Sequence, residues 1–100
     1  MTEPRHIRMF SDDGHDWPLW ESGDKYMMEP SDYGLSAGLT ARLRAWHDEW
    51  ASAISYHPWP PHWVGRRSAE EWEREGAEIA AVLASEVADF ADVKYIPGFY

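Results

Sequence analysis

One hundred residues, 44% of them hydrophobic and 15% aromatic, suffice for one hydrophobic core and exclude an intrinsically disordered chain. The formal net charge of −9 argues against nonspecific binding to nucleic acid or to an anionic membrane, and makes a basic protein the electrostatically easy partner unless the acidity serves solubility alone. Cysteine is absent, which removes disulfides and thiolate chemistry, and neither a leader-like apolar run nor a membrane span is found, so a cytoplasmic protein is expected.

Arg5 to Phe10 alternates, with Ile7 and Met9 on one face and His6, Arg8 and Phe10 on the other. This predicts a strand that ends in a turn at Ser11-Asp12-Asp13-Gly14. From Gly14 to Leu35 no period persists, yet Trp17, Leu19, Trp20, Tyr26, Met27, Met28 and Tyr33 are too apolar for a free linker. Lys25 to Glu29 reads as a second short strand.

Ser36 is suited to cap a first helix, in which Leu39, Leu43, Trp46, Trp50 and Ile54 recur at helical spacing and form one buried stripe. Pro58 stops that helix. Tyr56 to Trp63 holds three prolines in four residues and is expected to be irregular or polyproline-like. Ser68-Ala69-Glu70-Glu71 fits a capping box and starts a second helix, whose stripe is Trp72, Gly76, Ile79, Leu83, Val87 and Phe90. Glycine on a buried stripe costs about 1 kcal/mol relative to alanine, so a close helix–helix approach beneath a tryptophan of the first helix is its expected reason. Val93 to Ile96 reads as a closing strand before Pro97-Gly98. The expected fold is α+β in a single domain, residues 1–100, with a helical hairpin packed on a small two- or three-stranded sheet formed by the terminal strands. If those strands pair, the chain ends lie side by side.

Catalytic sets are hard to assemble. His57 and His62 are the best metal-ligand pair, but a zinc site needs three or four converging donors and the prolines between them leave their orientation open. Asp12, Asp13 and Asp16 lack the spacing of a calcium loop. His15 with Asp16, and His47 with Asp48, are sequence neighbours that seldom face one another in regular structure. His47 borders the first helix's apolar stripe, as a structural histidine would. The serines sit at caps and turns, and no glycine loop suits a phosphate. No enzyme, metal or cofactor is therefore expected.

The tryptophans and glutamates say more. Trp46, Trp50 and Trp72 occupy core-facing helical positions, whereas Trp17, Trp20, Trp59 and Trp63 lie in loops, several beside prolines. A loop tryptophan is either a lid over a small core or an exposed anchor for a partner. Glu70, Glu71, Glu73 and Glu78 stand on the outward side of the second helix.

Three stretches carry a resemblance: Asp16-Trp17-Pro18-Leu19-Trp20, Ser31-Asp32-Tyr33-Gly34-Leu35-Ser36, and Leu39-Thr40-Ala41-Arg42-Leu43-Arg44-Ala45-Trp46. With them the chain resembles a group of small acidic proteins encoded in actinobacterial genomes. Those share an opening strand, a proline-leucine-tryptophan segment, and an alanine- and glutamate-rich second helix before a short strand. The likeness covers most of the chain and implies no activity, cofactor or catalytic residue. The segment from His57 to Trp63 departs from the shared pattern.

Two functional expectations follow. The first is a non-enzymatic protein-binding domain, an immunity or inhibitor-type partner of a basic protein, with contacts from Trp59, Trp63, Glu70, Glu71, Glu73 and Glu78. The alternative is a small-ligand pocket lined by Trp17, Trp20, Tyr56 and Trp59.

Overall fold

The computed structural model describes residues 4–23 and 25–99. Among these residues five strands and two helices follow in the order β1 (Arg5–Met9), β2 (Leu19–Glu21), α1 (Ala37–Ala53), β3 (Ile54–Ser55), β4 (His62–Trp63), α2 (Ala69–Glu86) and β5 (Ala91–Tyr95), with a 3-10 turn at Pro30–Asp32 before α1. β2, β1 and β5 form one sheet in that order, and β3 with β4 form a separate antiparallel ribbon. The α+β expectation holds: the terminal strands build the sheet and Leu19–Glu21 supplies its third member.

β1 pairs antiparallel with β2 and parallel with β5. A parallel neighbour requires a long crossover, and everything between β2 and β5 serves as one. Parallel pairing also corrects one expectation. The terminal strands adjoin, but Arg5 lies beside Ala91 and Met9 beside Tyr95, so the start of β1 and the end of β5 are at opposite ends of the sheet.

The register puts Ile7, Met9, Leu19, Ala91, Val93 and Tyr95 on one face, which the helices cover. Ile7, Met9 and Leu19 are fully buried there. His6, Arg8, Trp20, Asp92 and Lys94 fall on the other face.

Each helix starts where its serine caps it. Ser36 Oγ accepts from the Leu39 N–H at 3.2 Å, and Ser68 Oγ accepts from the Glu71 N–H at 3.1 Å. The second cap is half of the expected box, because Glu71 takes the Ser68 hydroxyl instead of reaching back to the Ser68 backbone N–H. Glu86 at the end of α2 bonds both the backbone N–H and the hydroxyl of Ser36, which ties the two helices antiparallel.

Leu39, Leu43, Trp46 and Trp50 are buried as the spacing predicts, joined by His47 and Ala53. Ile54 leaves the helix and begins β3, half-buried against the core. Phe90 also departs from expectation: α2 ends at Glu86 with Val87 as its C-cap, and the chain turns through Ala88–Phe90 into β5. Phe90 then stacks on Tyr33 with part of its ring exposed.

Two further corrections concern the connections. The second strand is Leu19–Glu21 and not Lys25–Glu29, of which only Met27 makes a bridge, to Trp20. Gly23, at φ +144°, supports the reversal between them. In the proline-rich segment, His62 and Trp63 are ladder residues, paired with Ser55 and Ile54, so the irregular part is confined to 56–61.

α1 and α2 meet at two tryptophans. The indoles of Trp46 and Trp72 stack with centroids 4.2 Å apart and planes 2° from parallel, and each indole N–H donates to the other residue's backbone carbonyl, at 2.9 and 3.0 Å. Gly76 lies one turn beyond Trp72, where a Cβ would stand 2.6 Å from Trp46 Cζ2 and 2.5 Å from the Tyr95 hydroxyl. The close approach predicted for this glycine is therefore present, with Tyr95 as a second reason for it.

Candidate functional site

The ribbon and the start of α2 form the surface on which the expected partner contacts fall. β3 continues directly from α1, and the ribbon's loop carries Pro58, Trp59, Pro60 and Pro61. The Ser55 hydroxyl donates to the His57 carbonyl at 2.9 Å, His62 Nδ1 lies 3.1 Å from the Pro60 carbonyl, and the Tyr56 hydroxyl donates to Asp13 at 2.6 Å. Proline fixes φ at several positions and these bonds fix others, so the loop has little freedom left to lose on binding.

That loop separates the two tryptophans proposed together. Trp59 is 72% exposed at the tip. Trp63 is half-buried: its indole N–H donates to the Arg67 carbonyl at 2.8 Å, and its ring leans on Trp72 and Phe99 at 5.3 and 5.8 Å. Gly65 passes over that ring so closely that a Cβ would meet the indole at 2.8 Å. Trp63 is thus a lid and Trp59 an exposed side chain.

The glutamates divide as well. Glu70, Glu71 and Glu78 are exposed and Glu73 is half-buried. At about 100° per residue, Glu71, Glu75 and Glu78 share one side of α2, with Glu70 and Glu73 on another. The first side is not purely negative, because Arg67 and Arg42 stand on it. The Arg67 guanidinium binds Glu49 through two bonds, at 2.7 and 2.6 Å, and also binds Glu75. Arg42 lies 3.9 Å from Glu75 and 4.0 Å from Glu78. The two carboxylates raise the pKa of Arg67 further, so its guanidinium stays charged at any ordinary pH. By bridging α1, α2 and, through its carbonyl, Trp63, Arg67 sets the ribbon against the helices. No motif marks Arg67 in the sequence; its partners lie 18 and 8 residues away.

Each of the four aromatics of the alternative ligand pocket has its own surroundings. Trp20 is nearly buried, with Phe10 stacked on it at 4.9 Å and Tyr26 at 6.1 Å, and its N–H donates to the Phe10 carbonyl. Trp17 lies under the Arg44 guanidinium. Tyr56 bonds Asp13, and Trp59 stands out in solvent. A cleft of about 360 Å³ near the C-terminal segment is lined by other residues, among them Phe10, Asp12, Trp50 and Pro97.

The histidines are engaged separately. His15 Nε2 lies 2.8 Å from the Met28 carbonyl and edge-on to Trp20. His47, 6% exposed, bonds Ser11 Oγ at 3.1 Å and stacks on Trp50. Among the described residues no three or more His, Asp or Glu side chains converge as a metal site would require.

Burial lowers the pKa of His47, an effect that outweighs the opposing charges of Asp48 and Asp16. The folded state therefore resists a proton that the unfolded chain accepts near pH 6.5. Stability should be greatest above that pH and fall as the pH drops from about 6.5 toward 5. Urea midpoints across this range test the point: His47→Gln should lack the slope. Glu21 acts lower down, because two hydrogen bonds from Arg5 and one from the Tyr33 hydroxyl hold its carboxylate below the usual range.

Among known families, a model described as Serratia CdiI immunity protein-like matches residues 5–98, which span every strand and helix. No curated protein matches the chain. The small α+β domain built on these residues thus belongs to the Serratia CdiI immunity protein-like family.

Proposed function

We propose that this chain is an immunity protein that neutralises a basic toxin domain in the cytoplasm by binding it, without chemistry of its own. Family membership supports protein binding, and the net charge of −9 supports a basic partner. One observation carries the choice of contact: Trp59 stands 72% exposed on a loop already stiffened by prolines and hydrogen bonds. A large aromatic in water gains much by entering a partner's pocket, and a preorganised loop loses little entropy in presenting it. Glu70, Glu71, Glu73 and Glu78 on α2 would add the charge that draws the toxin in, and Trp63 would hold the ribbon in place from beneath.

The test is rescue of growth. The chain is co-expressed with candidate toxin domains, and Trp59→Ala is then compared with the native chain against the toxin it neutralises. Truncating an anchor of this kind should cost about 2 kcal/mol of binding, or roughly 30-fold in affinity. The same substitution should change folding stability by no more than about 0.5 kcal/mol, because the ring touches little of the core. Undiminished affinity in Trp59→Ala would remove the ribbon tip from the interface.

A further inference from the structure

The β2–β1–β5 sheet has two edges, and the chain covers the outer side of β2. There the Met28 N–H donates to the Leu19 carbonyl and the Glu21 N–H to the Tyr26 carbonyl, both at 3.0 Å. β5 forms the other edge. Its ladder with β1 runs from the Arg5 N–H on the Phe90 carbonyl to the Ile96 N–H on the Met9 carbonyl, both at 3.0 Å. In a parallel ladder alternate residues bond to one neighbour, so the backbone groups of Asp92 and Lys94 point to β1 and those of Ala91, Val93 and Tyr95 point outward. The Ala91 N–H is taken by the Val87 carbonyl at 2.9 Å. Among the described residues no other hydrogen bond reaches these outward groups.

An open strand edge is a template for another strand, and charged side chains decide which strand it accepts. Asp92 and Lys94 are both exposed on the sheet face opposite the helices, with Val93 between them. This order is complementary to itself. In an antiparallel pairing centred on Val93, each Asp92 stands across from the second copy's Lys94, and on the helix side Ala91 meets Tyr95, small against large. Centring on Asp92 or on Lys94 instead would set like charges in direct opposition. Inside the chain the register partner of Lys94 is Arg8, a like charge, so a carboxylate arriving on its other side relieves that repulsion. Asp92 meets His6 on β1 at 2.9 Å, and the second copy's Lys94 would take its other side.

We propose that β5 pairs antiparallel with β5 of a second copy of this chain about a twofold axis at Val93, joining two three-stranded sheets into one. Val93 exchanges both backbone bonds with its symmetry mate, and each Tyr95 N–H reaches the second copy's Ala91 carbonyl. A strand of a different protein would meet the same backbone groups, but this strand carries the matching Lys and Asp itself. α2 leaves room above the seam: at about 100° per residue its side away from Arg42 carries Glu73, Ala77, Ala80 and Ala84. Glu73 lies beside Tyr95, whose hydroxyl bonds its carbonyl, so antiparallel pairing sends the two Glu73 side chains to opposite ends of the seam. The net charge of −9 on each copy opposes association at long range. Salt at about 0.15 M cuts the reach of that repulsion to roughly 8 Å, whereas the Asp92–Lys94 pairs act in contact. The inference does not rest on toxin binding.

Sedimentation velocity over a concentration series, at about 0.15 M salt, should show the native chain passing from monomer to dimer. Asp92→Lys sets Lys against Lys at the seam and Lys94→Asp sets Asp against Asp, so each single variant should dimerise about tenfold more weakly. Mixed together, the two variants should form a heterodimer about as tight as the native dimer, because every pair is then of opposite sign. Both positions are exposed, and circular dichroism checks that the variants are folded. Hydrogen exchange of the native chain needs no variant: the Val93 and Tyr95 amides should be protected at high concentration and lose that protection on dilution. A native chain that stays monomeric at millimolar concentration would overturn the proposal. So would single variants that dimerise as tightly as the native chain, a mixture no tighter than its components, or Val93 and Tyr95 exchange that ignores concentration. Trp59→Ala should dimerise like the native chain, so the ribbon reading and this one fail separately.

Discussion

Replacing Trp46 or Trp72 by alanine is expected to remove about 3–5 kcal/mol of stability, a large part of the roughly 5–15 kcal/mol that holds a domain together. Both side chains are buried at the single place where α1 and α2 touch through aromatic rings, and truncating either leaves a void bounded by the other. The hydrogen bonds add less than their symmetry suggests. Each indole N–H donates to a backbone carbonyl, so Trp72→Ala still offers its carbonyl to Trp46, and the main loss is volume and stacking. Trp46→Phe separates the contributions: it keeps a ring in the stack, forfeits one hydrogen bond, and should cost about 1 kcal/mol for that bond beyond the loss of ring area. A double-mutant cycle on the two Trp→Leu changes, which remove the rings, should give a coupling of about 0.5–1.5 kcal/mol when read from urea midpoints. The ribbon should loosen too, since Trp63 rests on Trp72. Toxin binding by Trp72→Phe should therefore fall more than its stability loss implies if the ribbon is the contact surface.

The helices were legible because their signals are local. A serine three residues ahead of the N–H it caps, and apolar residues at spacings of three and four, mark both helix starts, at Ser36 and Ser68, and the end of the first helix to within a residue. The errors fall where a neighbour in space decides. Phe90 continues the period of α2, but the chain must turn at Val87 to lay β5 beside β1, and nothing in Ala88-Asp89-Phe90 announces that turn. Leu19–Glu21 is a strand because β1 lies alongside it, while Lys25–Glu29, apolar at its centre too, makes a single bridge. Of the candidate site, the sequence could name Trp59 and Trp63 but not distinguish anchor from lid, because that depends on Gly65 and Arg67 closing over one ring and not the other. The division of the glutamates was hidden for a similar reason, since Arg42 and Arg67 reach α2 from elsewhere in the chain.

Gly76→Val should cost about 3 kcal/mol, at the upper end of what overpacking a core usually brings. Two effects of opposite sign compete at this position. Leaving glycine in a helix interior is unfavourable, and alanine would recover about 1 kcal/mol if space allowed. Space does not allow it: the nearest atoms to an added Cβ are the Tyr95 hydroxyl and Trp46 Cζ2, both inside 3 Å. Neither is free to yield. The Tyr95 hydroxyl donates to the Glu73 carbonyl at 3.0 Å, and Trp46 is held by its stack and its hydrogen bond to Trp72. Burial pushes the Tyr95 pKa up to about 12, so the phenol keeps that proton at any ordinary pH. Gly76→Ala should accordingly destabilise by about 1–2 kcal/mol despite its better helix propensity. Valine adds two more methyl groups to the same space and recovers little propensity in return. Gly38 in the first turn of α1 supplies the control, since an added Cβ there meets nothing within 4 Å. Gly38→Ala should stabilise by about 0.5–1 kcal/mol. Opposite signs for the two Gly→Ala changes, measured by urea denaturation, are the expected result; a gain at both would mean that the helices do not approach as closely as the Trp46–Trp72 contact requires.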